Sequence, residues 1–383
     1  MKDATHRKFR LSPSRFLKKF VLLSVPSTLL VLLVLEVVFR SVLPACEMPF
    51  VRFDPTHRVL TYDARGQTEG THTIGPFARQ RASWRVNNHG WNSVVDYDPD
   101  PKRARPLIAI IGDSYVEAFQ VDVRHNLTSV LRDSLDGSHD VYGFGMSGAG
   151  LSQYLQMSRY VTKVFDPAVL VFVVVHNDFL GSLANARRVP HFLQLRASEA
   201  GFVELAPVPY VPSTLRRALS NSALARYLVT NLRIEHKLRR LTSGRDRRRF
   251  AANIDVDRTW DNRRLIEGAT EHVVARARRE NPDKEIVFVI DALRQDIYAG
   301  RKPAGQLFWL HQALRDAANA NSCHFLDLNE AFREYYLAEG TRLDFEFDGH
   351  WNEAGHATAA RGLLDYLRES GIAPAPDRSQ GKP

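Results

Sequence analysis

Cysteine is scarce in this sequence: Cys46 and Cys323 are the only two in 383 residues, which leaves room for one disulfide at most. A bridge between them would suit an oxidising compartment, but Cys323 begins an apolar run and fits better as a small buried residue of a strand. No spacing of cysteine or histidine is typical of a structural metal site, so we expect no metal and no cofactor. Internal repeats and long low-complexity tracts are also missing.

The body of the chain lacks the charge excess that nucleic-acid-binding proteins carry. The formal net charge is +9, but residues 1–19 hold seven Lys or Arg side chains against one Asp, which places +6 in this tail and leaves +3 (9 − 6) for the remaining residues. No stripe of arginine and lysine alternates with aromatic residues along the apolar runs. We therefore expect no nucleic-acid partner.

Residues 20–39 contain almost no charge and are about as long as a helix that crosses a bilayer. Because basic residues precede this run, the positive-inside bias predicts a cytoplasmic N-terminus and a domain on the periplasmic or extracellular side. A buried core helix is one alternative. A cleaved signal peptide is another, since Leu43-Pro-Ala-Cys46 resembles a lipoprotein cleavage site. We favour an uncleaved single-pass anchor over residues 20–43, which makes the membrane a partner of the chain.

The remaining residues divide by composition. Residues 44–105 are rich in Gly, Pro, Thr and His without sustained periodicity, and they predict a stalk that leads into the edge of a domain. Residues 106–370 predict an α/β domain. Residues 371–383 are polar and proline-rich and predict a disordered tail.

Five apolar runs with helical stretches between them predict a doubly wound parallel sheet. The runs cover residues 107–111, 141–144, 168–175, 286–290 and 324–328, and the helical stretches cover 124–135, 151–164 and 307–320. Residues 180–283 are more than one crossover needs, so we expect a helical insertion there. Its basic amphipathic part, residues 215–250, is either a solvated helical surface or a lid that contacts anionic headgroups or an acidic polymer.

Two segments at opposite ends of the domain carry candidate chemistry. A buried strand ends at Gly112 and delivers Ser114 at its carboxyl end, where open α/β sheets place their ligands. Near the other end, Asp348-Gly-His350 precedes a helix. In an extended segment alternate side chains point the same way, so Asp348 can hold one ring nitrogen of His350. A serine hydroxyl needs such a base to act as a nucleophile at neutral pH.

These segments, with Gly148 and Asn177 between them, resemble the SGNH (GDSL) hydrolase superfamily. The resemblance implies a flavodoxin-like, five-stranded parallel sheet. It also implies an acyl-serine mechanism in which Ser114 is the nucleophile, His350 the base and Asp348 the acid. The backbone N–H groups of Ser114 and Gly148 and the side-chain amide of Asn177 would form the oxyanion hole.

The chain departs from the family pattern at three places. Gly143 stands where the second block usually has asparagine, and His176 stands where the third block usually has glycine. The last block usually reads Asp-x-x-His, whereas Asp348-Gly-His350-Trp351 looks like the Asp-x-His-Trp form of alginate-type O-acetylation enzymes. We expect His176 to line the substrate pocket. Trp351 either forms part of a surface for an acceptor sugar or packs against the sheet.

Three functions fit these features. The first is a membrane-anchored serine esterase that removes O-acyl groups, above all acetyl, from a cell-envelope or extracellular glycan. The second is an O-acyltransferase that passes the acyl group to a sugar hydroxyl and needs a membrane partner to supply it. The third is a glycan-binding module that keeps the fold without catalysis. The chain has no polytopic membrane module to bring acyl groups across, which favours the first.

Overall fold

The computed structural model describes residues 13–234, 250–251, 254–302, 305–345 and 348–375. Parts of three predicted segments lie outside these residues: the basic N-terminal tail, the basic stretch of the insertion and the disordered C-terminal tail.

The described residues form the following strands and helices. The strands, in chain order, are β1 (Val51–Asp54), β2 (Val59–Tyr62), β3 (Glu69–Ile74), β4 (Gln80–Arg85), β5 (Leu107–Gly112), β6 (Asp140–Gly145), β7 (Val169–Val174), β8 (Gln194–Ser198), β9 (Gly201–Leu205), β10 (Phe250–Ala251), β11 (Ile254–Asp255), β12 (Glu285–Ile290) and β13 (His324–Asp327). The helices are Pro13–Ser41, Ser114–Glu117, Leu127–Ser134, Leu151–Phe165, His176–Gly181, Thr214–Asn221, Ala223–Arg226, Val256–Asp261, Arg263–Glu280, Arg294–Tyr298, Phe308–Ala320, Asn329–Glu339 and Glu353–Glu369. A 3₁₀ turn covers Pro76–Ala78 and a π turn covers Tyr227–Asn231.

One parallel sheet forms the centre of the domain. Its strands lie in the order β6-β5-β7-β12-β13. Numbered along the chain, these five strands have the order 2-1-3-4-5, which is flavodoxin-like and confirms the predicted fold class. Each strand begins and ends within one residue of the predicted apolar run. β5 and β7 are buried along their whole length, because helices cover both faces of the sheet.

Alternate residues of the central strand reach two separate hydrophobic cores. Ile108 packs on one face, in the core that includes residues of the helix Glu353–Glu369. Ala109 packs on the other face, in the core that includes residues of the helix Leu151–Phe165. This period of two is what a strand buried on both sides requires.

Residues 44–105 are largely folded, so the predicted stalk is wrong for most of this segment. β1 pairs with β2, and β3 with β4, as antiparallel hairpins. Trp84, Trp91 and Tyr97 belong to the core beneath the sheet, and each is at most 1% exposed. The Tyr97 hydroxyl donates to Gly143 O at 2.8 Å and accepts from Gly143 N–H at 2.9 Å, which satisfies the edge of β6. Strands of four to six residues are too short to give a periodic sequence signal.

The described residues of the insertion over 180–283 are only partly helical. β8 and β9 form an antiparallel hairpin, which was not predicted from the sequence although residues Gln194–Ser198 alternate between polar and apolar side chains. Two short helices follow, Thr214–Asn221 and Ala223–Arg226. The long helix Arg263–Glu280 returns the chain to β12 and serves as the crossover.

The first helix contains the candidate membrane span. Residues Phe20–Ser41 are long and apolar enough to cross a bilayer, with a mean hydropathy of 2.5, and none of the most apolar window is buried in the protein (0%). Within the part of the chain that the structure describes, this is the one helix of that kind. Its length and composition weakly support a single-pass anchor. Glu36 and Arg40 pair at 2.6 Å near its C-terminal end.

Candidate active site

Ser114 begins a short helix directly after β5. Asp113 caps this helix, since its Oδ1 accepts a hydrogen bond from the Tyr115 N–H at 2.9 Å. Gly112 permits the tight turn, because a Cβ at this position would lie 2.4 Å from the Val116 side chain. The strand, the cap and the glycine together deliver the half-buried serine hydroxyl at the carboxyl end of the sheet, as predicted.

His350 and Asp348 meet Ser114 from the far end of the domain. His350 Nε2 lies 2.8 Å from Ser114 Oγ, and His350 Nδ1 lies 2.9 Å from Asp348 Oδ2 in a bent contact. With the ring proton assigned to Nδ1, Nε2 can accept the serine proton. The neighbouring Asp344 instead pairs with Arg294 at 3.3 Å. Asp348 is therefore the carboxylate placed to orient the histidine.

Arg233, from the insertion, contacts the other oxygen of Asp348. Its guanidinium lies 2.6 Å from Asp348 Oδ1, and the Asp348 side chain is 4% exposed. Burial alone would raise the pKa of Asp348, but the hydrogen bonds and charges of His350 and Arg233 hold this pKa well below its ordinary value. The acid thus stays ionised wherever the histidine can act as a base. Arg233 could not be predicted from the sequence, because it lies 115 positions from its partner and in no motif.

Gly148 and Asn177 stand on the same rim as the serine. Three strands end level with one another, because Gly112 of β5 pairs with Gly145 of β6 and with Val173 of β7. The loop that holds Gly148 follows β6, and the helix start that holds Asn177 follows β7. Gly148 has a φ of 79°, a left-handed conformation that favours glycine. The structure thus brings both predicted oxyanion-hole residues to the edge where the nucleophile lies.

Glu117 is a buried acid that fastens the loop before Gly148. Its carboxylate accepts hydrogen bonds from the Ser147 N–H at 2.9 Å, from the Ser147 hydroxyl and from the Tyr62 hydroxyl. Desolvation raises the pKa of Glu117 above its ordinary value, although these hydrogen bonds oppose the shift. Because Glu117 shares a helical turn with Ser114, it ties the glycine loop to the nucleophile. Glu117 was not predicted from the sequence, where an acid inside an otherwise apolar stretch was the available signal.

A buried network supports the loop that carries the histidine. The Arg294 guanidinium donates to Gly349 O and to the Tyr115 hydroxyl, each at 2.7 Å, and this hydroxyl donates to Gly349 O at 2.9 Å. Asp291 Oδ2 accepts from Arg294 at 2.9 Å. Gly349 has a φ of 74°, so the loop needs glycine there as well. These contacts fix the backbone between the acid and the base.

Trp351 belongs to this support and not to the substrate surface. It is 0% exposed, and its Nε1 donates to Asp291 Oδ1 at 2.8 Å. Its ring packs against Tyr115 and Phe332, with ring centroids 5.0 and 5.7 Å away. Of the two alternatives that the sequence left open for Trp351, the structure agrees with packing, because a fully buried ring offers no surface to an acceptor sugar.

His176 is buried beside the site in a chain of polar contacts. Its Nε2 lies 2.9 Å from His311 Nε2, and His311 Nδ1 lies 2.8 Å from Asp327 Oδ2. Burial, with the nearby charges of His311 and Arg294, lowers the pKa of His176 well below its ordinary value, so the ring is neutral. His176 does line a cavity, and its contact with substrate stays a prediction.

The cavity has a volume of about 660 Å³. Asp348 and Gly349 of the catalytic loop line it, together with His176 and Arg233. Ser114 is not among the lining residues, so the cavity borders the site on the side of the acid. Its size is in the range of small-molecule sites.

Other candidate residues do not join the site. His356 is 1% exposed and its Nδ1 accepts from Leu127 N–H at 3.2 Å; burial and the charge of His350 lower its pKa to about 3. Cys46 and Cys323 are both free and buried, so no disulfide joins them. The described residues include no group of three or more His, Cys, Asp or Glu side chains that could hold a metal ion.

Comparisons with known proteins agree with this geometry at the level of the family. The chain matches the GDSL-like Lipase/Acylhydrolase family over residues 110–358, more than half of its length and a span that includes Ser114 and His350. Among curated proteins, none matches the sequence.

Similar solved structures are distant ones. They include a member of the lipolytic protein G-D-S-L family from Veillonella parvula (12% identity, 68% of this chain and 96% of that chain, TM-score 0.38), the lipase/acylhydrolase from Enterococcus faecalis (12%, 69% and 96%, 0.37) and a carbohydrate acetylesterase family member from Sinorhizobium meliloti (14%, 69% and 98%, 0.33). At these TM-scores the likeness carries no conclusion about substrate. The family match over residues 110–358 shows that this chain belongs to the GDSL-like lipase/acylhydrolase (SGNH) family.

Proposed function

We propose that this protein is a serine esterase that cleaves O-acyl esters through an acyl-serine intermediate. The observation that carries the proposal is the line of contacts from Ser114 Oγ to His350 Nε2 at 2.8 Å and from His350 Nδ1 to Asp348 Oδ2 at 2.9 Å. A base within hydrogen-bond reach of a serine, itself oriented by an acid, is what nucleophilic catalysis at neutral pH requires.

The reaction begins when Ser114 Oγ attacks the ester carbonyl carbon and His350 Nε2 takes the hydroxyl proton. The carbonyl oxygen becomes an oxyanion, which the N–H groups of Ser114 and Gly148 and the amide of Asn177 stabilise. Collapse of this intermediate breaks the bond to the alcohol oxygen, which leaves with the proton from His350. A water molecule then attacks the acyl-serine in the same way and releases the carboxylic acid and the free serine.

The substrate we propose is an O-acyl, above all O-acetyl, ester on a cell-envelope or extracellular glycan. The apolar span Phe20–Ser41 and the basic residues before it support a single-pass anchor with a cytoplasmic N-terminus, which would expose the domain to such glycans. The cavity beside Asp348 is large enough for a sugar unit.

Transfer of the acyl group to a sugar hydroxyl is the alternative. The acyl-serine is common to both reactions, and the Asp348-x-His350-Trp351 form favours transfer. Because Trp351 is buried, it offers no surface to an acceptor sugar, so the structure gives transfer no added support. A transferase would also need a membrane partner to supply acyl groups. Hydrolysis is therefore placed first.

The test is hydrolysis of p-nitrophenyl acetate by the full-length chain in detergent. We expect p-nitrophenol release by the wild type, none above background by Ser114→Ala, and unchanged release by Ser134→Ala, an exposed serine on a neighbouring helix. Activity that survives Ser114→Ala would refute the proposal. Addition of oligosaccharide acceptors separates the two reactions, because acetylated sugar in the mass spectrum would indicate transfer and free acetate alone would indicate hydrolysis.

A further inference from the structure

A glutamate near the end of the candidate membrane span binds the insertion directly. The Glu36 carboxylate accepts hydrogen bonds from the Ser222 hydroxyl at 2.8 Å, the Ala223 N–H at 2.9 Å and the Leu224 N–H at 3.0 Å. These donors stand at the start of the helix Ala223–Arg226, where N–H groups have no partner within the helix. Glu36 thus caps a helix that lies almost two hundred positions away in the sequence.

Two further contacts join the same elements. The Arg40 guanidinium donates to Asn221 O at 2.9 Å. The Phe39 ring stacks on Tyr227, with ring centroids 4.0 Å apart. The last turns of the span are therefore part of the folded domain and are not separated from it by a flexible linker.

The segment that begins at this contact is then fastened to the domain on its other side. Asn231 is 3% exposed; its Oδ1 accepts from Cys46 N–H at 3.0 Å, and its Nδ2 donates to Thr73 Oγ1 at 2.8 Å. Two residues later, Arg233 has a φ of 48°. Residues other than glycine persist in this left-handed conformation only where the surroundings hold them.

Arg233 connects this segment to the proposed catalytic residues, because it contacts Asp348. Each oxygen of the buried Asp348 carboxylate has its own partner: Oδ1 lies 2.6 Å from the Arg233 guanidinium, and Oδ2 lies 2.9 Å from His350 Nδ1. A carboxylate held at Oδ1 cannot rotate its Oδ2 away from the imidazole without breaking a charged contact.

We propose that Arg233 is a positioning residue for the catalytic acid, and that Glu36 of the membrane helix sets the place of Arg233 through residues 221–233. This inference rests on the proposed function, because it assigns Arg233 to the site of that reaction. The anchor then has a second role beyond location: it completes the active site.

Other titratable groups also face the Asp348–His350 pair. His72, His356 and Asp113 do so from other elements. Burial lowers the pKa of His72 to about 4, so that His72, like His356, is neutral where the enzyme works. Arg233 is thus a permanent positive charge in contact with the acid.

The first experiment measures kcat and KM of Arg233→Gln in the full-length chain. We expect kcat to fall about thirtyfold, because small misplacements of catalytic groups have costs of this size, while KM for p-nitrophenyl acetate stays within about twofold. Removal of the Arg233 charge leaves the site more negative, which favours its protonated state. The acid limb of kcat/KM should move up by about half a pH unit. Arg233→Lys should restore most of the rate, and the exposed Arg217→Gln should change nothing.

The second experiment tests whether Glu36 affects kcat through Arg233. We expect Glu36→Gln to lower kcat severalfold with KM unchanged, and Ser27→Ala, on the same helix, to leave it unchanged. The double variant Glu36→Gln/Arg233→Gln should be no slower than Arg233→Gln alone, because both changes act through one contact. The link between Glu36 and Arg233 would be overturned if the kcat losses of the two single variants multiplied in the double variant. It would also be overturned if Glu36→Gln had the same kcat as the wild type.

Hydrogen exchange of the peptide that covers residues 348–352 gives a readout that does not depend on turnover. We expect faster exchange in Glu36→Gln and in Arg233→Gln than in the wild type. Equal exchange in all three proteins would overturn the link even if the wild type is an active esterase. An inactive wild type with faster exchange in the variants would refute the proposed function and leave the contact between anchor and acid standing.

Discussion

At the scale of single residues, the site depends on how one carboxylate is shared. The Asp348 carboxylate is buried. One of its oxygens contacts His350, the proposed base, and the other contacts the Arg233 guanidinium. Asp344, only four positions earlier, has its own cations in Arg294 and Arg342. The two acids therefore lie close together but contact different groups. Substitution of each acid in turn should show which one contributes to kcat.

Asp348→Asn should lower kcat by about three to four orders of magnitude, because an amide cannot hold the imidazole in the tautomer that leaves Nε2 free. Asp344→Asn should lower it less than about tenfold, since it touches neither the serine nor the histidine. Steady-state kinetics on both variants checks this. Equal losses would mean that Asp344 shares the role.

The same acid predicts how stability depends on pH. The folded-state pKa of Asp348 lies below that of an unfolded aspartate, about 3.9. Such a group contributes stability that is fully present above the unfolded pKa and is lost as the pH falls towards the folded value. The excess of the wild-type melting temperature over that of Asp348→Asn should therefore shrink as the pH falls from about 5 to below about 4. A gap that widens below pH 4 would contradict the assigned shift.

The sequence predicted the residues that belong to local motifs. Ser114, Asp348 and His350 could be placed because each has a recognisable strand end or spacing. Arg233 and Glu117 could not, since a long-range ion pair and a buried acid leave no local pattern. The two alternatives for Trp351 stayed open for a similar reason: a tryptophan next to a histidine can face the solvent or the core, and long-range contacts such as the one with Asp291 leave no local pattern.

At the scale of elements, the loop that carries the base is held by a buried frame of Asp291, Arg294, Tyr115 and Trp351. Such a frame costs free energy unless every polar group in it has a partner. Asp291 meets this condition by using one oxygen for Arg294 and the other for the indole N–H of Trp351.

Trp351→Phe should destabilise the protein by about 1–3 kcal/mol, because it leaves a buried carboxylate oxygen without its donor. Trp260→Phe is the matched control: Trp260 is 53% exposed, and surface changes of this kind stay within about 0.5 kcal/mol. Urea unfolding followed by circular dichroism gives both values. An unchanged free energy of unfolding in Trp351→Phe would mean that the hydrogen bond from Trp351 to Asp291 does not stabilise the fold.

Strands that form continuous apolar runs were predicted well, and short strands without such a run were not. The five parallel strands are continuous apolar runs, so their bounds were visible in the sequence. The hairpins β1–β2, β3–β4 and β8–β9 are held by pairing between neighbouring short strands and, for the first two, by aromatic side chains that reach the core. That packing depends on the assembled sheet and leaves no period to detect.

At the scale of the whole molecule, the candidate membrane span contacts the segment that leads to the candidate active site. Glu36, Phe39 and Arg40 contact residues 221–227, and this segment leads to Arg233. The direction in which the span crosses the bilayer then decides which compartment the active site faces.

A C-terminal fusion in a bacterial host tests that direction. The basic residues before the span predict an extracytoplasmic domain, so an alkaline phosphatase fusion should be active and a green fluorescent protein fusion should be dark. The reverse pattern would place the site in the cytoplasm and would exclude a cell-envelope or extracellular glycan as the substrate.

The measurement that tests the account most directly is the position of a fluorophosphonate adduct in the full-length protein. Trypsin should release residues 104–124 as one peptide, in which Ser114 is the single serine. We expect the adduct on this peptide in the wild type and in Ser134→Ala, slower formation in Asp348→Asn, and none in Ser114→Ala. An adduct on any other peptide, or one that persists in Ser114→Ala, would contradict the assignment of Ser114 as the nucleophile.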